Sequence, residues 1–288
     1  MPTIKQILFP VDFSEQNRAM APHVACMAAR YRAHVTFLNV VEMSVGLDPG
    51  WPEYSGMVDY SGVIEQRKER LHSFLRSEFE TVSSARVTLE GDPGRIIADY
   101  AAKEKMDLIM MPTHGYGPFR RFLLGSVTAK VLHDAHCPVW TSAHLSEPPG
   151  PPTGYDRVLC AVDITSKSAP LLRWATEFAR DRRSTLKLVH AIPAAQQPAG
   201  LDLEGGRFRE SLIDMAKLEL EKLQTEVGTT LNTIVEAGEV AETIRKVAEE
   251  SRADLVIIGR GVMQHVFGRM RTHVYSIIRE APCPVISV

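Results

Sequence analysis

The sequence predicts an α/β fold written twice: two doubly wound, flavodoxin/Rossmann-like parallel-sheet α/β/α domains in tandem within 288 residues. Three observations predict it. Strand-sized apolar runs alternate with helix-sized amphipathic runs, the pattern of parallel strands joined by helical crossovers. The chain also matches itself. Ile7-Leu8-Phe9-Pro10-Val11-Asp12 corresponds to Val158-Leu159-Cys160-Ala161-Val162-Asp163, and Gly91-Asp92 to Gly238-Glu239. Residues 107–111 correspond to 254–258, and Cys137-Pro138-Val139 to Cys283-Pro284-Val285. Four matches in the same order, shifted by roughly 150 residues, mark a domain duplication, since solenoid repeats are far shorter. Finally, residues 144–154 are rich in Pro and Gly, which suits a semi-rigid linker between domains at 1–143 and 155–288.

The elements of the first half follow in order. Residues 4–9 form a short apolar run, and Ser14 is placed to cap a helix running to about Tyr31. Residues 34–41 read as a strand and about 59–81 as one long amphipathic helix. Residues 86–90 read as a strand, and 93–103 as a helix with Pro93 in its first turn, where the missing N–H is harmless. A strand at 107–111, a helix at 125–134 and a last strand at 138–142 complete the unit, and the second half repeats the order. Such sheets are covered on both faces, and ligands bind beyond the carboxyl ends of the strands, where the strand order reverses.

Composition narrows the function classes. A hydrophobic content of 44% and a charged content of 24% are ordinary for a globular chain, and a net charge of −2 argues against nucleic-acid binding through bulk charge. Apolar runs of strand length predict no membrane span, and the first residues lack the apolar core of a signal peptide. Cys26, Cys137, Cys160 and Cys283 lie far apart, which reads as buried thiols in a reducing cytoplasm.

The chemistry is expected at the strand ends. The fourth strand runs into Met111-Pro112-Thr113-His114-Gly115, then a loop, then Gly125-Ser126-Val127-Thr128 at a helix start. Glycine lets backbone N–H groups approach an anion, and a helix N-terminus supplies free donors and a positive dipole end. Ser126 and Thr128 add hydroxyls. The plain alternative for Gly125-Ser126 is a helix start with a serine cap. Neither a phosphate-loop motif with lysine nor a complete GxGxxG is present.

Taken together, Pro10-Val11-Asp12, Pro112-x2-Gly115-x9-Gly125-Ser126 and Cys137-Pro138-Val139 resemble the universal stress protein (UspA-like) family. That family carries G-x2-G-x9-G-[S/T] after its fourth strand, and the resemblance covers the chain as two copies. It implies an ATP site in the first half. Pro10, Val11, Asp12 and Val40 would line the adenine pocket, with Asp12 accepting from the base or ordering its loop. Met111 and Pro112 would lie along the ribose. Gly115, Gly125, Ser126, Val127 and Thr128 would hold the phosphates, with a divalent cation such as Mg on them. The first motif glycine is replaced by Pro112, so no amide contact is made there. The resemblance also implies that the last strands, 139–141 and 285–287, pair antiparallel, which would make the chain a covalent pseudo-dimer; a homodimer of two such chains through last-strand or domain contacts stays open, since the sequence does not decide it.

The second copy departs further. It reads Ile258-Gly259-Arg260-Gly261, and Arg271-Thr272 stand where the first copy has Gly125-Ser126. Ala161-Val162-Asp163 and Ala191 keep the adenine side. An arginine at the cradle position predicts weak or no nucleotide binding; the alternative is that Arg269 and Arg271 hold a phosphate through their side chains.

Other residues compete for attention. Asp12 and Asp163 suit a general base or, more simply, a turn. His114 suits a phosphate contact or an exposed loop. His133 and His136 have a spacing usable by a metal but lack a third ligand in sequence. Arg120 and Arg121 suit a solvated face or a phosphate contact. Residues 214–226, with Leu218, Leu220 and Leu223, read as a packed amphipathic helix. The connections 42–59 and 193–206 are long, and Trp51 and Tyr54 are candidates to close over a ligand. No catalytic constellation is legible. The expected function is a cytoplasmic stress-response regulator that binds ATP without being an evident enzyme. The alternatives are a nucleotide-independent interaction protein and a phosphoryl-transfer enzyme.

Overall fold

The computed structural model describes residues 4–42, 60–114, 124–143, 154–165, 168–180, 184–193, 205–260 and 270–288. The first half contains β1 (Gln6–Pro10), α1 (Glu15–Tyr31), β2 (His34–Val41), α2 (Tyr60–Ser73), β3 (Ser84–Glu90), α3 (Pro93–Lys103), β4 (Leu108–Met110), α4 (Ser126–Asp134) and β5 (Val139–Thr141). The second repeats it as β6 (Arg157–Ala161), α5 (Ser168–Arg180), β7 (Thr185–Pro193), α6 (Gly205–Val227), β8 (Asn232–Gly238), α7 (Val240–Glu250), β9 (Leu255–Ile258), α8 (Met270–Glu280) and β10 (Val285–Ser287).

All ten strands form one sheet in the order β3-β2-β1-β4-β5-β10-β9-β6-β7-β8. Within each half the strands are parallel, in the doubly wound order 3-2-1-4-5 of Rossmann type. The chain leaves β1 in one direction and returns through β4 in the other, so a crevice opens between the carboxyl ends of β1 and β4. The equivalent crevice lies between β6 and β9.

Local sequence explains most boundaries. Ser14 caps α1 by accepting from the Asn17 amide, and Asp92 caps α3 by accepting from the Arg95 amide with Pro93 in the first turn. The long helix expected at 59–81 is instead α2 followed by a 3-10 turn at Ser77–Phe79. The cause lies in another element. Arg86 of β3 donates to the carbonyls of Leu71 (2.9 Å) and Phe74 (3.3 Å), which caps the helix early. Leu75 then adopts φ 52°, and the break lets Phe74, Leu75 and Phe79 all reach the core.

Two apolar layers cover the sheet. One packs α1, α2, α5 and α6 against it through residues such as Met20, Leu71, Phe178 and Leu220. The other packs α3, α4, α7 and α8 through Ile97, Val131, Ile244 and Ile278. Each layer runs without a break from one half into the other. In α6, Leu220 is buried and Leu223 packs on the core, whereas Leu218 is exposed.

The halves are joined by β5 and β10, which pair antiparallel with Ile286 opposite Trp140, as the resemblance implies. Both strands have a second neighbour, β4 and β9 respectively. The last-strand route to a homodimer is therefore closed, because each of these edges is already satisfied within the chain. Trp140 is fully buried and donates its indole N–H to the Tyr155 hydroxyl at 2.9 Å. Arg30 of α1 reaches across to the Phe178 carbonyl at 2.6 Å, with its guanidinium 4.3 Å from the Phe178 ring.

His23 lies in the same region, with its ring 5.1 Å from Trp140 and its Nδ1 buried without a partner among the described residues. Burial pushes its pKa from 6.5 down to about 4. Above pH 6.5 both native and unfolded His23 are neutral, and stability does not depend on it. Below that the unfolded chain takes up a proton that the native state refuses until about pH 4. Stability is therefore lost as pH falls through this window, by on the order of 3 kcal/mol at most. Urea unfolding at stepped pH is expected to show a shallower decline for His23→Leu than for the unchanged chain. Equal slopes would mean that His23 is not the group responsible.

All four cysteines are free thiols, as expected, although only Cys160 is fully buried and the others are half-buried. Burial raises Cys137 to about 11 and Cys160 and Cys283 to about 12, which keeps them protonated. Among the described residues no helix is long and apolar enough to cross a membrane.

Candidate functional site

In the first half, the end of β1 is held by a local network. The Val11 amide donates to the Leu38 carbonyl at 2.8 Å, and the Asn17 side chain donates to the Pro10 carbonyl at 3.2 Å. The Asp12 amide donates to Asn17 Oδ1 at 2.7 Å, and Asp12 Oδ1 accepts from the Ser14 amide at 2.9 Å. Asp12 thus orders its own turn, and its other carboxylate oxygen has no protein partner among the described residues. Phe13 takes φ 66°, a conformation that favours glycine, and is anchored by burial against Phe74. The strained residue makes the sharp exit from β1 that leaves Asp12 at the crevice.

Val40 is half-buried at the end of β2, opposite Leu89 of β3. Beside it stands Asn39, which the motif reading did not single out. Asn39 is buried, donates from Nδ2 to the Val11 carbonyl at 2.7 Å, and leaves Oδ1 buried without a partner among the described residues. An unsatisfied buried acceptor of this kind costs about 1–3 kcal/mol and favours a ligand that donates to it. A signal was present in the sequence. His190 holds the matching place in β7 and bonds the matching carbonyl, Val162, at 2.8 Å. A polar residue at the same position of two apolar strands marks a site rather than a core.

The other wall is the end of β4. The Met111 amide donates to the Trp140 carbonyl at 3.1 Å, and Met111 and Pro112 are both buried. Thr128 was expected to offer its hydroxyl to a phosphate; that hydroxyl instead donates to the Pro112 carbonyl at 3.0 Å and is buried. His114, for which an exposed loop position was the simpler expectation, is 6% exposed and its Nδ1 lies 3.1 Å from Thr113 Oγ1. The strand end is drawn inward by the Thr113 hydroxyl and amide, both of which donate to the Ser142 carbonyl.

Gly125 is the point of closest approach. Its amide donates to the Thr113 carbonyl at 2.8 Å, and a Cβ on it would lie 3.3 Å from that oxygen and 3.5 Å from His114 Cα. Gly125, not Ser126, is the helix cap, with φ −63° and ψ 146°, and makes no side-chain cap bond. The Ser126, Val127 and Thr128 amides are therefore the first three of α4, which have no partner inside a helix. Ser126 is exposed and Val127 half-buried. The structure thus brings Pro10, Val11, Asp12, Val40, Met111, Pro112, Gly125, Ser126, Val127 and Thr128 to the carboxyl ends of β1, β2 and β4. Gly115, Arg120, Arg121, Trp51 and Tyr54 lie outside the described residues.

The second half holds a cleft of about 560 Å3 at the equivalent place, lined by Val162, Asp163, His190, Ala191, Met215 and Ile258 among others. Asp163 serves a turn: its carbonyl accepts from the Thr165 amide at 2.8 Å and from the Ser168 hydroxyl. Arg260 also lines the cleft, but its guanidinium crosses to the first half. It donates to the Ala135 carbonyl at 2.7 Å and the Cys137 carbonyl at 2.8 Å, just beyond the C-terminus of α4. The position aligned with it in the first copy is Thr113, too short to make the reciprocal reach. Arg271 falls in the first turn of α8, and its side chain and all of Arg269 lie outside the described residues.

Among the described residues no group of three metal-ligating side chains occurs. His133 is bonded to Asp134 rather than to His136.

A model of the universal stress protein family matches residues 3–142 and 154–288. A universal stress protein of Methanocaldococcus jannaschii is 34% identical over 139 residues, covering 47% of this chain and 79% of that protein. One of Thermus aquaticus is 32% identical over 139 residues, covering 47% of this chain and 96% of that protein. Among solved structures, a universal stress protein from Archaeoglobus fulgidus superposes with a TM-score of 0.70 at 20% identity, covering 99% of this chain and 96% of that one. The last likeness extends over both halves and establishes the fold.

Proposed function

The chain belongs to the universal stress protein family, and on that premise we propose that its first half, residues 1–143, binds ATP as a signalling or stabilising ligand. The observation that carries this reading is the contact of Gly125 with the Thr113 and His114 backbone, which a side chain would fill. It brings the free amides of α4 against the strand ends, where they suit phosphate oxygens. Ser126, Val127 and Thr128 would hold the phosphates through backbone N–H, with a divalent cation such as Mg shared by the phosphate oxygens. Pro10, Val11, Asp12 and Val40 would border the base, and Met111 and Pro112 the ribose. Asn39 Oδ1 supports the reading, since an exocyclic amine is the kind of donor it lacks. The Pro112 carbonyl, which accepts from the Thr128 hydroxyl at 3.0 Å, ties the strand end to α4 without the Pro112 amide.

In this reading residues 155–288 form the partner domain and 144–154 the linker. The protein acts as a cytoplasmic stress-response regulator rather than an enzyme, and any homodimer forms through domain surfaces. Nucleotide released by denaturing freshly purified protein is expected to be ATP, and calorimetric titration is expected to give one site per chain. Absence of both retained nucleotide and heat at millimolar ATP would leave the nucleotide-independent interaction protein as the better reading.

A further inference from the structure

We propose that the cleft in the second half is a binding site for an uncharged, phosphate-free aromatic compound that carries a hydrogen-bond donor. Its volume of about 560 Å3 falls within the range of roughly 300–1,000 Å3 typical of small-molecule sites. It opens beyond β6, β7 and β9, where the strand order reverses, the place at which doubly wound sheets take ligands.

Its surface is apolar where a ring would lie. Val189, Ala191 and Ile258 supply the sheet side, and Ile244 and Ile277 the opposite helices. Met215 and Ile164 sit in the lining with 63% and 36% of their surface exposed. Large apolar groups left in water beside an apolar recess gain from being covered, at about 25 cal/mol per Å2.

The polar groups select the ligand. His190 Nδ1 lies 2.8 Å from the Val162 carbonyl, which can only accept. Nδ1 therefore carries the proton, and in that tautomer Nε2 is the acceptor. Asp163 and Glu219 put two carboxylates into the lining. Arg260 does not balance them toward a ligand, because its guanidinium is spent on the Ala135 and Cys137 carbonyls of the first half. His273 lies 3.9 Å from Glu239. Among the described lining residues no other lysine or arginine occurs. With Asp163 and Glu219 in the lining, the described residues favour a neutral donor over a polyphosphate, with His190 as its acceptor and apolar walls beside it.

The probe for the test is N-phenyl-1-naphthylamine, a neutral aromatic amine with one N–H, added to the full chain. Its fluorescence is expected to rise saturably with one site per chain and to stay unchanged at saturating ATP. Ala191→Phe, which fills the sheet side, is expected to weaken binding at least tenfold. Met215→Asp, on an exposed position that leaves the fold intact by circular dichroism, is expected to weaken it about fivefold by removing apolar cover. Unsaturable binding, full affinity in Met215→Asp, or displacement of the probe by ATP would each overturn the proposal. The last outcome would assign the cleft to nucleotide.

Discussion

Gly125→Arg is expected to abolish ATP binding, with affinity falling at least a hundredfold, or about 3 kcal/mol. The substitution puts into the first copy the residue type that stands at the matching place, Arg271, of the second. Backbone strain is not the cause, because Gly125 has φ −63°, which any residue adopts. The loss has two parts. A Cβ 3.3 Å from the Thr113 carbonyl forces the strand end and helix start to give by a few tenths of an ångström, and the long side chain would then occupy the crevice proposed for the phosphates. The charge is no substitute for the amides, since a phosphate oxygen is held by several converging N–H groups. Ser126→Ala is the useful contrast. It removes a hydroxyl and keeps the backbone amide, so only a few-fold loss is expected. Titration calorimetry with both variants checks the pair, with urea unfolding to show that each is folded. Undiminished binding by Gly125→Arg would move the nucleotide away from α4.

Trp140→Ala should destabilise the whole chain by about 3–5 kcal/mol. Trp140 is fully buried on β5, opposite Ile286 of β10, where the two halves meet. Its removal leaves a cavity in a layer to which both halves contribute. It also removes the indole donor from the buried Tyr155 hydroxyl. Burial raises the Tyr155 pKa far above its usual value, so that group stays protonated and ionisation offers it no relief. Because the apolar layers cross the junction, urea unfolding followed by circular dichroism is expected to remain a single transition at lower urea. Two separated transitions, or a loss below about 1 kcal/mol, would show that the halves are less coupled than their shared core implies.

Much of this was legible in the residues alone. The alternation of strands with helical crossovers follows from the apolar runs, whereas the strand order came only from the structure, and the boundaries of β2 and α3 fall where periodicity and capping residues put them. The position of Gly125 was legible because a glycine before a helix, after a strand end, has few other uses. Its role as the cap was not, since Ser126 is by local preference the better capping residue. Gly125 takes that position because its amide is drawn to the Thr113 carbonyl, a contact between separate segments. The end of α2 was equally hidden: nothing within 59–81 calls for a stop at Ser73 until Arg86, in the next strand, takes the Leu71 and Phe74 carbonyls on either side of that end.

The sequence by itself determined the duplication, the alternation of strands and helices in each copy and the unequal helix starts Gly125-Ser126 and Arg271-Thr272, because all three are written in local pattern and in matching residues. Only the tertiary structure decided which polar groups are spent and which are left. Thr128 gives its hydroxyl to Pro112, Arg260 gives its guanidinium to the far end of α4, and Asn39 and His190 each turn one nitrogen to the neighbouring strand exit. A side chain's chemistry is set by its residue type. What it remains able to bind depends on the carbonyls and amides that folding brings within about 3 Å, and those lie tens of residues away in the chain.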